Sequence, residues 1–336
     1  MKRQSIKVTK NKGEPVRKIL LDLDILDNSL KIGSDENFLY FPLSRESTPS
    51  EQKCLPEEIE LIDHDFELQQ KKPALEDLLG FSPSYEVIGD IALLEDPDLD
   101  KEKALKIADA LLRTQKNTKT VLKPLTPVIG EFRVREFEIV AGEPRTETTH
   151  REYGCRYKVD LARAYFTPRL STERSRILSW IKEGDTVVDM FAGVGPYSIL
   201  LAKSKKPSRI IAIDKNPDAV HYLKENIALN SVKNIEAIEG DAREVAKEFA
   251  GTTDHVIMNL PHNAYEFLDS AVLLTKPGGI IHYYGITPED DLFESSIKLI
   301  KEAAGRTGRQ VEVLEKRIVR SYAPYQYNIC IEAKII

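Results

Sequence analysis

Val187-Val188-Asp189-Met190-Phe191-Ala192-Gly193-Val194-Gly195-Pro196-Tyr197-Ser198 reads as an apolar strand that ends in an acid and then turns through glycines into a helix. Glycines carry no Cβ, so such a turn lets a nucleotide-like ligand approach the backbone closely. A second apolar strand, Arg209-Ile210-Ile211-Ala212-Ile213, ends in Asp214, 21 residues after Gly193. An acid there suits ribose hydroxyls. A third strand end supplies Asp241 in Glu239-Gly240-Asp241-Ala242, where a carboxylate can accept from an adenine amino group. Strand and helix alternate from about residue 171 onward, which predicts a Rossmann-like doubly wound parallel sheet closed by an antiparallel pair.

Two ligand classes fit a glycine turn of this kind, nicotinamide dinucleotides and S-adenosylmethionine. Ser198 can serve as the third small residue of a dinucleotide fingerprint. Asp189 directly before the turn, however, would repel a pyrophosphate and attract a cationic ligand end. The three strand-end acids in this order resemble the class I S-adenosylmethionine-dependent methyltransferases.

The 336 residues are 41% hydrophobic and 30% charged, enough for two or three domains. The N-terminus leads into an alternating strand rather than a signal peptide, and no apolar run has membrane-spanning length. Cys54, Cys155 and Cys330 are widely spaced, which disfavours a disulfide framework or a metal cluster and points to a reducing cytoplasm. Net charge is −6, yet residues 1–20 carry seven Lys/Arg against one acid, and residues 113–176 carry 14 against 8. Positive charge gathered in two stretches of an acidic chain suits an RNA-contacting surface.

Three regions are expected: a small α/β module over 1–66, an α+β module over 74–170 and the sheet domain over 171–336, with a polar linker at 69–73. In the middle module residues 85–94 read as one apolar strand. Residues 131–140 read as another, with Arg133 and Arg135 on a common face. In the sheet domain Asn259-Leu260-Pro261-His262 closes a strand at the ligand-binding edge. It resembles the Asn-Pro-Pro-Tyr type motif of base nitrogen methyltransferases.

Taken together, several segments look like the archaeal and eukaryotic tRNA (guanine-37-N1)-methyltransferases. They are Gly130-Glu131-Phe132-Arg133-Val134-Arg135-Glu136, Tyr165-Phe166-Thr167-Pro168-Arg169-Leu170, Glu173-Arg174, the Asp189 turn, Asn259-Leu260-Pro261 and Val319-Arg320-Ser321-Tyr322-Ala323-Pro324. The resemblance extends over essentially the whole chain. It implies Glu173 as general base on guanine N1, Arg133 stabilising charge on guanine O6 and Asn259 orienting the base. It places Tyr165 and Pro261 with Arg133 in the guanine pocket, and Arg174 and Phe191 at the cofactor, S-adenosylmethionine. Asp189, Gly193, Gly195, Asp214, Lys215, Asp241, Ala242 and Asn259 complete the expected cofactor contacts. The family more often has Lys where this chain has His262, which is given no role.

The resemblance implies action on the tRNA anticodon loop and body, and the chain is expected to be a monomer without DNA, membrane or metal partners. Guanine N1 carries a proton at neutral pH, so methylation there needs a base, and a fixed cation facing O6 matches the charge that develops. Rival readings are aminocarboxypropyl transfer or methylation in the wyosine pathway, an NAD-linked oxidoreductase and a non-catalytic RNA-binding module. The Arg/Glu/Asn trio favours methyl transfer over aminocarboxypropyl transfer. The acid before the glycine turn disfavours the oxidoreductase.

Overall fold

Alternation at the chain start gives β1 (Lys2–Thr9) one apolar side, with Ile6 and Val8 fully buried. The computed structural model describes residues 1–69, 74–96, 98–128 and 130–336; residues 70–73 of the expected linker lie outside it. The chain divides into two units, Met1–Ala74 and Leu75–Ile336.

In the first unit α1 (Gly13–Asp22) lays Val16 and Leu20 against Ile6, Val8 and Phe41. The strands β2 (Gly33–Ser34), β3 (Phe38–Pro42) and β4 (Glu60–Asp65) complete an antiparallel sheet in the order β2-β3-β1-β4. Between β3 and β4, the short α2 (Pro49–Gln52) starts at a capping box formed by Thr48 and Glu51. Several cations of the basic first 20 residues are paired inside the unit: Lys2 with Asp63, Lys7 with Glu60, Lys12 with Glu58 and Arg17 with Glu14. Among the described residues Arg3, Lys10 and Lys18 form no ion pair, and all three are exposed.

The second unit opens with α3 (Leu75–Leu79), β5 (Tyr85–Ile88), β6 (Ile91–Leu94), α4 (Lys101–Thr114), β7 (Thr120–Pro124) and β8 (Phe137–Gly142). Asp100 caps α4 by accepting the Lys103 N–H at 2.8 Å, and Ile107, Ala108 and Leu111 pack on Leu94 and Val121. A hairpin of β9 (Glu147–Glu152) and β10 (Cys155–Asp160) follows. The sheet domain then runs α5 (Ser171–Ile177), β11 (Thr186–Asp189), α6 (Pro196–Lys205), β12 (Arg209–Asp214), α7 (Pro217–Leu229) and β13 (Ile235–Glu239). After these come α8 (Ala242–Val245), β14 (Thr253–Met258), α9 (Leu268–Leu274), β15 (Thr275–Pro288), α10 (Glu294–Arg306), β16 (Val311–Ala323) and β17 (Gln326–Ile335).

These strands form one sheet in the order β13-β12-β11-β14-β15-β17-β16, parallel through β15 and antiparallel beyond it. The near-continuous apolar runs of β11 and β12 are those of strands covered on both faces. The reversal of strand order beside β11 places the ligand edge at the carboxyl ends of β11, β12 and β14.

Asn226 of α7 and Asn230, the residue just after that helix, satisfy the free edge of β10. Lys158 N–H donates to Asn226 Oδ1 at 2.7 Å and Arg156 N–H to Asn230 Oδ1 at 2.9 Å, and each amide nitrogen returns a bond to the same residue's carbonyl. Tyr157 and Phe166 share a core with Val194, Ile199 and Leu223, which fixes the hairpin to the sheet domain.

Two stretches of the middle region differ from expectation. Residues 85–94 are not one strand but the antiparallel pair β5/β6, because Gly89 at φ 61° turns the chain where a Cβ would strike Thr148. Arg133 and Arg135 are not on a strand, since β8 begins only at Phe137. Arg133 sits at φ 55° in a turn whose N–H donates to the Gly130 carbonyl at 3.3 Å. Turn chemistry at Pro127 and Gly130 overrides the short alternation that follows.

Candidate active site

The glycine turn is held in shape from two sides. Gly195 takes φ 89° at the start of α6, and a Cβ there would lie 2.4 Å from Leu223, so only glycine lets α6 and α7 meet. Asp214 Oδ2 accepts the Gly193 N–H at 2.7 Å while Oδ1 accepts the Asn216 N–H at 2.9 Å. Burial raises the Asp214 carboxyl above its ordinary value. Asp189 is 1% exposed, and its Oδ2 accepts from Ser198 Oγ at 2.8 Å. Burial, only partly offset by that hydroxyl, pushes its carboxyl up to about 7.

Asp189 Oδ1 and Asn259 Oδ1 are buried acceptors without a partner among the described residues. They stand at the carboxyl ends of the paired strands β11 and β14. Orphaned acceptors at this edge fit a ligand carrying donors or positive charge, as S-adenosylmethionine does in its ammonium and sulfonium groups. Asp241 is held by Arg243, through the guanidinium and the backbone N–H, at about 2; Lys215 lies 3.8 Å away. Phe191 meets the Phe267 ring edge-on at 4.9 Å, and the Arg243 guanidinium lies over that same Phe267 ring.

Next to this edge a cleft of about 360 Å³ is lined by Arg133, Arg135, Tyr165, Arg169, Arg320 and Glu86, among others. The Arg133 guanidinium lies 5.3 Å from the Tyr165 ring centre. Although strand alternation does not place them, Arg133 and Arg135 thus reach one cleft. Glu131 of the same turn pairs with Lys215 at 2.6 Å, tying the turn to the end of β12. The Tyr165 carbonyl lies 3.7 Å from where a Gly193 Cβ would stand, so cleft and glycine turn are neighbours. Burial, then the charge on Arg133, lowers the proton affinity of His262, whose ring meets Tyr322 edge-on at 5.2 Å. The Asn259-Leu260-Pro261 loop is fixed by Ile286 N–H donating to the Pro261 carbonyl at 3.1 Å.

Glu173 lies in the first turn of α5 and is 3% exposed. Its Oε1 accepts from Arg176 Nε at 2.9 Å, Arg176 Nη2 at 2.7 Å and the Tyr284 hydroxyl at 2.9 Å. Its Oε2 accepts no hydrogen bond among the described residues and faces Arg317 Nη1 at 3.7 Å. Arg174 points elsewhere. It is 2% exposed and donates from Nε and Nη2 to Glu152 on β9, at 2.8 and 2.5 Å, and to the Thr167 carbonyl. Its guanidinium is therefore committed to the hairpin and to the Thr167 carbonyl.

Arg176, Tyr284, Arg317 and Glu332 around Glu173 escaped sequence reasoning. A signal existed: His282 and Glu332 interrupt the apolar runs of β15 and β17, yet they are 0% and 1% exposed. Polar side chains inside such runs must find partners, and these two bond each other.

Residues 148–314 match the family model described as the TRM5/TYW2 methyltransferase domain. Residues 5–51 match a tRNA methyltransferase 5 N-terminal domain and residues 68–146 a TYW2 N-terminal domain. The chain is 42% identical to the tRNA (guanine(37)-N(1))-methyltransferase Trm5b of Pyrococcus abyssi over 98% of both chains. The crystal structure of that protein superposes with a TM-score of 0.72 over 99% of both. A structure described as the complex of aTrm5 and tRNALeu matches with the same TM-score at 39% identity, covering 99% of this chain and all of that one. A tRNA(Phe) (4-demethylwyosine(37)-C(7)) aminocarboxypropyltransferase from Methanocaldococcus jannaschii is 37% identical, over 74% of this chain and 97% of its own.

Proposed function

The chain belongs to the TRM5/TYW2 methyltransferase family, and from that premise we propose that it methylates N1 of guanine 37 in the tRNA anticodon loop. The observation that supports methyl transfer over aminocarboxypropyl transfer is whole-length similarity. The match to Trm5b covers 98% of this chain, whereas the aminocarboxypropyltransferase leaves about a quarter of it unmatched.

S-adenosylmethionine, when bound, would supply the electrophilic methyl group, its sulfur keeping the electron pair of the broken S–C bond and leaving as the neutral thioether. Asp189, Asn259 and the backbone of the glycine turn hold its amino-acid end, with Asp214 at the ribose and Asp241 and Ala242 at the adenine. The guanine enters the cleft beside Tyr165, where Asn259 and Pro261 orient its edge. Glu173 Oε2, which accepts no hydrogen bond among the described residues, takes the N1 proton, and the freed N1 electron pair forms the new N–C bond. Arg133 faces O6, where the displaced charge accumulates, and is worth most where water is excluded.

The test is incubation of the full-length protein with an unmodified tRNA transcript and labelled S-adenosylmethionine, followed by nuclease digestion and mass spectrometry. A single methyl group on guanine 37, absent from a transcript with adenine at that position, is the expected result. An aminocarboxypropyl adduct, or no transfer, overturns the reading.

A further inference from the structure

Behind Glu173 a line of charged and polar side chains crosses the interior of the sheet. Arg176 Nη2, which donates to Glu173, also donates to Glu332 Oε1 at 2.5 Å and meets Cys330 Sγ at 3.3 Å. Glu332 Oε2 is hydrogen-bonded to His282 Nδ1. His282 Nε2 lies 3.0 Å from His255 Nδ1, and His255 Nε2 lies 3.3 Å from Asp185 Oδ2. The members come from α5, β17, β15, β14 and the loop before β11, so no local motif produces the line.

Two ring protons suffice for the contact to Glu332 and the contact between the rings, one on His282 Nδ1 toward Glu332 and one on His255 Nδ1 toward His282 Nε2. Burial, then the neighbouring imidazole, pushes the proton affinity of His255 down to about 3. Burial alone would raise the Glu332 carboxyl, but His282 and Arg176 hold it at about 2. The Arg176 guanidinium thus stands between two carboxylates, Glu173 and Glu332. Apolar side chains would fill this interior with less desolvation, so stability gives no reason for the arrangement.

We propose that Glu332 is a positioning residue for Glu173: by holding Arg176 from behind, it shares that guanidinium with Glu173 and fixes the Glu173 carboxylate through Oε1, leaving Oε2 without a hydrogen bond among the described residues. This rests on the reading of Glu173 as the base. The other ionisable groups facing Glu173 are Tyr284 of β15, Arg317 of β16, Cys330 of β17, Tyr197 of α6 and its neighbour Arg174. None of them bonds both Arg176 and the imidazole pair, as Glu332 does.

The sign of the effect separates this role from a merely structural one. In Glu332→Gln the whole Arg176 charge falls on Glu173, which becomes a weaker base. In Arg176→Gln it becomes a stronger one. Single-turnover methyl transfer by the full-length protein, followed against pH, is expected to show the Glu173 ionisation displaced by about one pH unit downward in the first variant and upward in the second. Thermal melting confirms folding, and where Glu332→Gln does not fold, Glu332→Asp, which shortens the reach to Arg176, is expected to move the ionisation the same way by less. An unmoved ionisation in the folded variants overturns the proposal. A wild type whose ionisation survives Glu173→Gln refutes instead the base reading.

Discussion

Asp214 Oδ2 accepts the Gly193 N–H at 2.7 Å, so the acid at the end of β12 pins the glycine turn at the end of β11. The residue expected to meet a ribose therefore also shapes the turn over which the ligand lies. Asp214→Ala removes both contributions. Cofactor affinity, measured by calorimetry on the full-length protein, is expected to fall by about 10–100-fold, the loss typical of one or two charge-assisted hydrogen bonds. Unchanged affinity would remove Asp214 from the site.

Glu173→Gln preserves shape but cannot take a proton at neutral pH. It is expected to slow single-turnover methylation by about 10²–10⁴-fold with little change in cofactor or tRNA binding. Arg133→Ala is expected to cost about 10²–10³-fold in the same step. Near-normal rates in both variants would leave Glu173 a structural partner of Arg176 and Arg133 a partner of Tyr165.

Arg174 and Glu152 form a buried pair, with side chains 2% and 6% exposed. Arg174→Ala leaves the carboxylate of Glu152 buried without its cation, and is expected to destabilise the fold by about 3–5 kcal/mol. Combining it with Glu152→Gln restores part of that loss. Denaturant unfolding of the single and double variants checks both statements, and equal destabilisation in the two would show that the charge of Glu152 is not the cause.

Asp189 binds its proton more tightly in the folded chain, at about 7 against an ordinary 3.8. The stability it contributes is therefore full below its unfolded value and is lost as pH rises through about 7. Asp189→Asn is expected to flatten this decline in thermal melts of the ligand-free protein. In the wild type, a cationic ligand drawn to Asp189 favours the ionised form, so binding near pH 7 releases part of a proton. Calorimetry in buffers of different ionisation enthalpy detects that release, and its absence would separate Asp189 from the ligand.

Arg3, Lys10 and Lys18 are the cations of the first 20 residues without an ion pair among the described residues. Replacing all three with Ala is expected to weaken tRNA binding and reduce its salt slope, leaving cofactor affinity intact. An unaltered slope would assign the basic stretch to ion pairs within its own unit.

The doubly wound sheet and its ligand edge were legible in the chain before any tertiary contact. Strand-end acids, a glycine turn and buried apolar runs are local signals, set by side-chain period and backbone freedom within a few residues. Resemblance singled out Arg133, Glu173 and Asn259. What surrounds Glu173 was decided only by tertiary structure. Tyr284 reaches it from 111 positions away, and Arg317 and Glu332 arrive on strands whose place follows from the antiparallel closure beyond β15. Arg133 shows the same limit, since alternation predicted a strand where Gly130 makes a turn. Which side chains meet in the interior depends on strand order and register, and those are settled by the whole core packing at once.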